Sequence, residues 1–205
     1  MEKAKVYFSK EITPENVVKM YEKLGVTLPG KVAVKLHSGE KGNQNYIKPE
    51  FVKAIVEKVN GTVVECNTAY DGARDTTQKH KQLMEEHGWT KYFDIDIMDA
   101  EGEKVLEIPN GKIIQKDYVG KNIDNYDSML VLSHFKGHPM GGYGGALKQL
   151  SIGIASGKGK RYIHCAGEDS GRDHFVERVE SRHGVHTIEA ASELGFGTRE
   201  YEFLQ

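Results

Sequence analysis

Two short apolar runs, 31–36 and 62–66, flank a segment patterned as a helix, and this strand, helix, strand order constrains the fold more than any other feature of the chain. The first run alternates as Lys31-Val32-Ala33-Val34-Lys35-Leu36, and the second reads Thr62-Val63-Val64-Glu65-Cys66. Between them Pro49 opens a helix carried by Phe51, Val52, Ile55, Val56 and Val59, with Gly61 as its stop. Two strands joined by a crossover helix lie parallel with a right-handed connection, so the fold class predicted is α/β with a mostly parallel central sheet flanked by helices.

The remaining segments are assigned around that unit. A strand is predicted over 3–8, then a helix with Thr13 as N-cap, Pro14 at its first position and Gly25 after Leu24. A third helix is predicted over 75–87, closing at Gly88. Short strands are expected over 93–98, 105–108 and 112–115, with Pro109-Asn110-Gly111 as a hairpin signal, and these form a small β insertion around 93–115 within a β-rich stretch 93–127. The most apolar short run, 128–133, is expected at the centre of the sheet, buried on both faces. A helix over 145–154, a strand over 161–165, helices over 173–181 and 187–194 and an extended piece over 201–204 complete one domain spanning 1–205.

Charge and composition narrow the partners. Lys and Arg number 28 against 30 Asp and Glu, mixed along the chain, so no footprint for nucleic acid or an anionic membrane is present. No apolar run approaches the roughly 18 residues of a membrane span, and the start lacks a secretory apolar region, which leads to a cytoplasmic expectation. The expected partner is a small-molecule or anionic ligand, and a homo-oligomer stays open. The 2 cysteines, Cys66 and Cys165, suit a reducing compartment and cannot by themselves supply an all-cysteine four-ligand iron-sulfur cluster. A lone cysteine at Cys66 reads first as a small buried hydrophobe.

The chemistry concentrates after 128–133, where the chain reads Ser133-His134-Phe135-Lys136-Gly137-His138-Pro139-Met140-Gly141-Gly142-Tyr143-Gly144-Gly145-Ala146-Leu147-Lys148. Ligands of open α/β sheets bind beyond the carboxyl ends of the strands, and this segment leaves one. Gly141, Gly142, Gly144 and Gly145 allow close backbone approach, and their amides, with Lys148 in the following helix and Lys35 nearby, are expected to hold an anion. The spacing matches neither the P-loop nor the dinucleotide fingerprint, so the expectation is a generic anion cradle. A glycine-rich turn that lets a helix pack on the sheet is the plainer alternative.

His134, His138 and Lys148 are the candidate catalytic residues. His134 and His138, with His37 at the end of another parallel strand, are the candidate metal ligands, although Gly137 and Pro139 rule out two histidines on one helical face. Asn67 and Asp71 follow a third strand end and read mainly as loop residues. The Gly157-Lys158-Gly159-Lys160-Arg161 run is either an extension of the anion site or a solvated turn. His164, His174, His183 and His186, among Glu168, Asp169, Asp173 and Glu177, lack metal spacing and read as surface residues.

The run from His134 to Lys148, continuing through Gln149-Leu150-Ser151-Ile152-Gly153 to Gly157-Lys158-Gly159-Lys160, resembles the central segment of domain-of-unknown-function family 362. The stretch from His183 to Tyr201 is similar to that family's carboxyl end, and 31–67 is similar in layout. Members are often labelled iron-sulfur centre proteins, so the resemblance implies a metal ion or iron-sulfur cluster as cofactor. It also implies a longer region, often with a ferredoxin-like cysteine cluster, which this chain lacks after Cys165. Two function classes follow: a metal- or anion-dependent enzyme of small-molecule or redox metabolism built on the His134–Lys148 loop, or a non-catalytic ligand-binding or electron-transfer partner module. A structural remnant without a ligand is the third.

Overall fold

A computed structural model of the chain describes residues 5–138 and 142–167, so the elements expected over 173–181, 187–194 and 201–204, and His174, His183 and His186, lie outside the described residues. Four strands form the main sheet: β1 (Val32–Lys35), β2 (Gly61–Glu65), β3 (Ile95–Ile97) and β6 (Ser128–Val131). Their order is β3-β2-β1-β6, and every pair is parallel. The α/β architecture therefore holds.

Local signals act as their chemistry dictates. Thr13 caps α1 (Pro14–Leu24) by accepting the Asn16 N–H at 3.2 Å, and Gly25 closes it in the left-handed region at φ 64°. Helix α2 (Pro49–Lys58) makes the crossover between β1 and β2, and α3 (Thr77–Glu86), capped by Thr76, connects β2 towards β3. On one face of the sheet Val34, Leu36, Val63 and Ile97 pack with Ile55, Val56, Met84 and Trp89. The other face carries Ala33, Val64, Cys66 and Met98. Burying each large side chain of this kind stabilises the fold by about 1.5–3 kcal/mol.

Several expectations are corrected. Residues 5–8 form no strand, and Val6 and Phe8 are exposed; none of the described strands pairs with them. The run 128–133 supplies β6, which lies at the edge among the described strands with all four residues only partly buried; the fully buried strand is β1, covered by β2 and β6 on either side. Apolarity alone does not distinguish these positions. Strand β3 joins the main sheet beside β2, so the insertion proper is the antiparallel pair β4 (Glu103–Glu107) and β5 (Lys116–Gly120), and 112–115 lies in the loop between them.

The segment predicted as a strand over 161–165 is instead part of helix α5 (Gly157–His164). Ser156 caps it by accepting the Gly159 N–H at 3.0 Å. Gly159 then seats α5 directly on β5, since a Cβ there would stand 2.0 Å from the Tyr118 carbonyl oxygen. Helix α4 (Ala146–Ser151) is shorter than the 145–154 expected. No helix among the described residues is long and apolar enough to cross a membrane.

Candidate functional site

Parallel strands deliver their carboxyl ends to one edge, and here that edge holds a buried charge network. Lys35 ends β1, and its ammonium satisfies three acceptors: Glu65 Oε2 at 2.8 Å, the Leu36 carbonyl at 2.7 Å and Gln149 Oε1 of α4 at 2.8 Å. Glu65 ends β2. Its Oε1 accepts the Ser38 N–H at 2.9 Å, the Ser38 hydroxyl at 3.2 Å and Arg74 Nη1 at 3.4 Å. Burial alone would raise the Glu65 carboxyl, but Lys35 and Arg74 overcome it and hold it well below the carboxylate range.

Arg74 reaches across to Glu40 in the loop after β1, donating from Nε at 3.2 Å and from Nη2, while the Tyr70 hydroxyl donates to Glu40 at 3.2 Å. Burial raises the Glu40 carboxyl, and the Arg74 guanidinium outweighs it, bringing it down to about 2. Two cations, Lys35 and Arg74, are thus answered by two carboxylates.

Around this pair the histidines are neutral. Burial, then Arg74, pulls His37 down to about 3. Its Nδ1 accepts the Gly39 N–H at 2.9 Å, which in the neutral ring places the proton on Nε2, facing Glu40 at 3.8 Å. The lone pair expected to serve a metal is therefore engaged by the backbone. His80 is fully buried and, chiefly by burial, lowered to about 4; its Nδ1 lies 3.3 Å from Asn67 Oδ1 and its Nε2 3.5 Å from Ser38 Oγ. Trp89 Nε1 anchors the Ser38 carbonyl at 2.9 Å, so the loop that presents His37 and Glu40 is held from below.

The glycine-rich stretch differs from an open cradle. Residues Lys136–His138 (β7) and Gly142–Gly144 (β8) pair as a small antiparallel hairpin, with Lys136 opposite Gly144 and His138 opposite Gly142. Part of the backbone expected to grip an anion is engaged in that ladder. Gly145 begins the six-residue α4 with no side-chain cap, while Gly141 and the side chain of His138 lie outside the described residues. His134 is exposed, and desolvation, then Lys136, lowers its pKa.

Lys148 is where the expected site and the buried network meet. It is half-buried on α4, next to the Gln149 that Lys35 binds, and its ammonium has no hydrogen-bond acceptor among the described residues. Burial, then the charges of Lys136, Lys160, Arg74 and Lys35, lowers it to about 8. Lys160 on α5 is buried, donates to the Ala155 carbonyl, and is also lowered by burial. The Gly157–Arg161 run is thus a helix start that carries one of these cations inward. Its first amide, Gly157 N–H, is taken by Asp99 Oδ2 at 3.1 Å.

Glu65, Arg74, Glu40, His80 and Gln149 were not singled out from the sequence. Lys35 and Glu65 had a signal: each is a charge at the carboxyl end of an otherwise apolar strand, and such charges are buried only when paired. Arg74 and Glu40 sit in polar loops that carry no such mark. Asp71 is exposed, as a loop residue is expected to be.

The family described as Domain of unknown function (DUF362) matches residues 32–194. The chain belongs to this family. The match spans β1, the edge just described and the whole glycine-rich stretch, so Lys35, Glu65, Arg74 and Lys148 of this chain all lie within the matched segment. No curated protein and no solved structure matches the chain.

The cysteines of this family member do not fit an all-cysteine cluster. Cluster ligands are thiolates, whereas burial pushes the Cys66 thiol up to about 12, and it donates to the Ile154 carbonyl at 3.3 Å. Cys165 is buried in a separate apolar cluster with Ala69 and Tyr70. Among the described residues no group of three His, Cys, Asp or Glu side chains gathers for a metal ion.

Proposed function

We propose that this chain is an anion-dependent enzyme of small-molecule metabolism, which binds a carboxylate- or phosphate-bearing ligand at the carboxyl edge of its parallel sheet. One observation carries the reading: the half-buried Lys148 ammonium, on the helix turn whose Gln149 accepts from Lys35, feels the charges of Lys136, Lys160, Arg74 and Lys35 and has no acceptor among the described residues. Like charges gathered in a partly desolvated place cost stability unless something negative joins them. Lys35 and Arg74 have their counter-charges within the fold; Lys148 takes its own from the ligand.

An amine lowered to about 8 exchanges its proton close to neutral pH, which suits a general acid or base. Lys148 holds the ligand's negative oxygen when protonated and returns the proton as charge develops. His134, exposed and with its pKa lowered by desolvation and then Lys136, is the second proton carrier. Lys35 and Gln149 fix α4 against the sheet, so the lysine stays aimed at the same place.

Calorimetric titration of sulfate and of acetate tests the reading, because neither probe changes charge between pH 6 and pH 10. The expected result is binding by the natural chain that Lys148→Met weakens at least about tenfold, the loss of one charged hydrogen bond. Equal affinity in the two proteins refutes it.

A further inference from the structure

We propose that the ligand of this edge carries a planar ring beside its negative charge, and that Phe135 and Tyr143 form the surface on which the ring lies. The proposal rests on the anion site above and adds the other half of the ligand. Phe135 precedes β7 and Tyr143 lies in β8; their ring centroids are 4.9 Å apart with planes tilted by 57°. Both are exposed, Phe135 at 70% and Tyr143 at 44%. Two exposed rings in contact offer a ready face for another ring.

Their position decides what they bind. The Tyr143 hydroxyl stands 2.2 Å from where a Cβ on Gly145 would be, so the ring lies over the residue that opens α4. Lys148 lies within the first turn of that helix. Lys136 directly follows Phe135, and its charge bears on both His134 and Lys148. Two aromatic faces and two ammonium groups thus occupy one hairpin and the helix it leads into. A ring stacks on an aromatic face while an attached carboxylate or phosphate meets the lysines.

Calorimetry on the whole chain compares two pairs of probes, methyl phosphate with phenyl phosphate and acetate with benzoate. The ring-bearing member of a pair is expected to bind about fivefold tighter or better, as stacking provides. Phe135→Ala and Tyr143→Ala remove that gain and leave the affinity for the small anion unchanged. Both rings are exposed, so the thermal midpoints of these variants match the natural chain. Equal affinity within both pairs, with the small anions still bound, overturns the ring surface and leaves the anion site standing. Failure of all four probes to bind overturns both. A Phe135→Ser change that dissociates an oligomer without altering phenyl phosphate affinity assigns the rings to a second copy of the chain and overturns the proposal.

Discussion

Lys35 and Glu65 leave adjacent parallel strands on opposite faces of the sheet, yet their side chains meet beyond its edge with Nζ 2.8 Å from Oε2, at side-chain exposures of 1% and 4%. Lys35 lies opposite Val64 in the register, so alternation sends Glu65 the other way. The long lysine stem folds over the sheet's end and closes the gap.

Removing one member of such a pair leaves the other charge buried and unanswered. Glu65→Ala is expected to lower stability by about 3–5 kcal/mol, read from chemical denaturation. The double change Lys35→Met, Glu65→Leu is expected to recover the share of that loss due to the unanswered Lys35 ammonium, while the Ser38 and Arg74 donors still lack their acceptor; a double variant as unstable as the single one contradicts the pairing.

Acid is expected to destabilise the fold in two stages. His80 is lowered from 6.5 to about 4, so between those values the unfolded chain binds more protons than the folded one, and stability falls as pH falls through this window. Glu40, lowered from 4.5 to about 2, adds stability that is present above 4.5 and is lost as pH falls towards 2. Thermal midpoints that stay flat from pH 6.5 to pH 4 in the natural chain contradict the first stage.

Sulfate affinity is expected to fall as pH rises above about 8, because the free Lys148 ammonium then loses its proton and binding must restore it. Lys148→Arg keeps its charge and removes this alkaline limb. Titrations at pH 7, 8 and 9 on the two proteins show whether the limb belongs to Lys148.

Neither cysteine is expected to react with a thiol reagent in the native protein at pH 8, since both are buried and the Cys66 thiol is pushed up to about 12. Both react once the chain is unfolded. Rapid native labelling at Cys66 contradicts its burial against Ile154.

Gly159→Ala places a methyl group 2.0 Å from the rigid Tyr118 carbonyl. The expected cost is about 1–3 kcal/mol of overpacking as α5 moves away from β5. The same shift displaces Lys160, so sulfate binding weakens together with the thermal midpoint.

The elements that formed as expected share one property: their signals are local. Thr13, Pro14 and Gly25 bound α1 because a cap, a fixed φ and a left-handed stop act within a few residues of themselves. The elements that differed are set by neighbours far along the chain. The run 161–164 is helical because Ser156 caps its helix and Tyr118 receives it at Gly159; β6 lies at the edge among the described strands because of the order in which strands assemble. The glycine-rich stretch closes into a hairpin by pairing with itself, a choice open to any flexible tract and invisible in its composition.

From the amino-acid order alone came the α/β class, the parallel unit around β1 and β2, and the prominence of Lys35, His37, His134 and Lys148, because period, caps and strand-end position are properties of short segments. Tertiary structure alone decided that Glu65 and Arg74 bury their charges with Lys35, that His37 spends its lone pair on Gly39, and that Lys148 is half-buried with no acceptor among the described residues. Charge pairing is a sum over groups brought together from distant segments, and only the folded arrangement sets the distances in that sum.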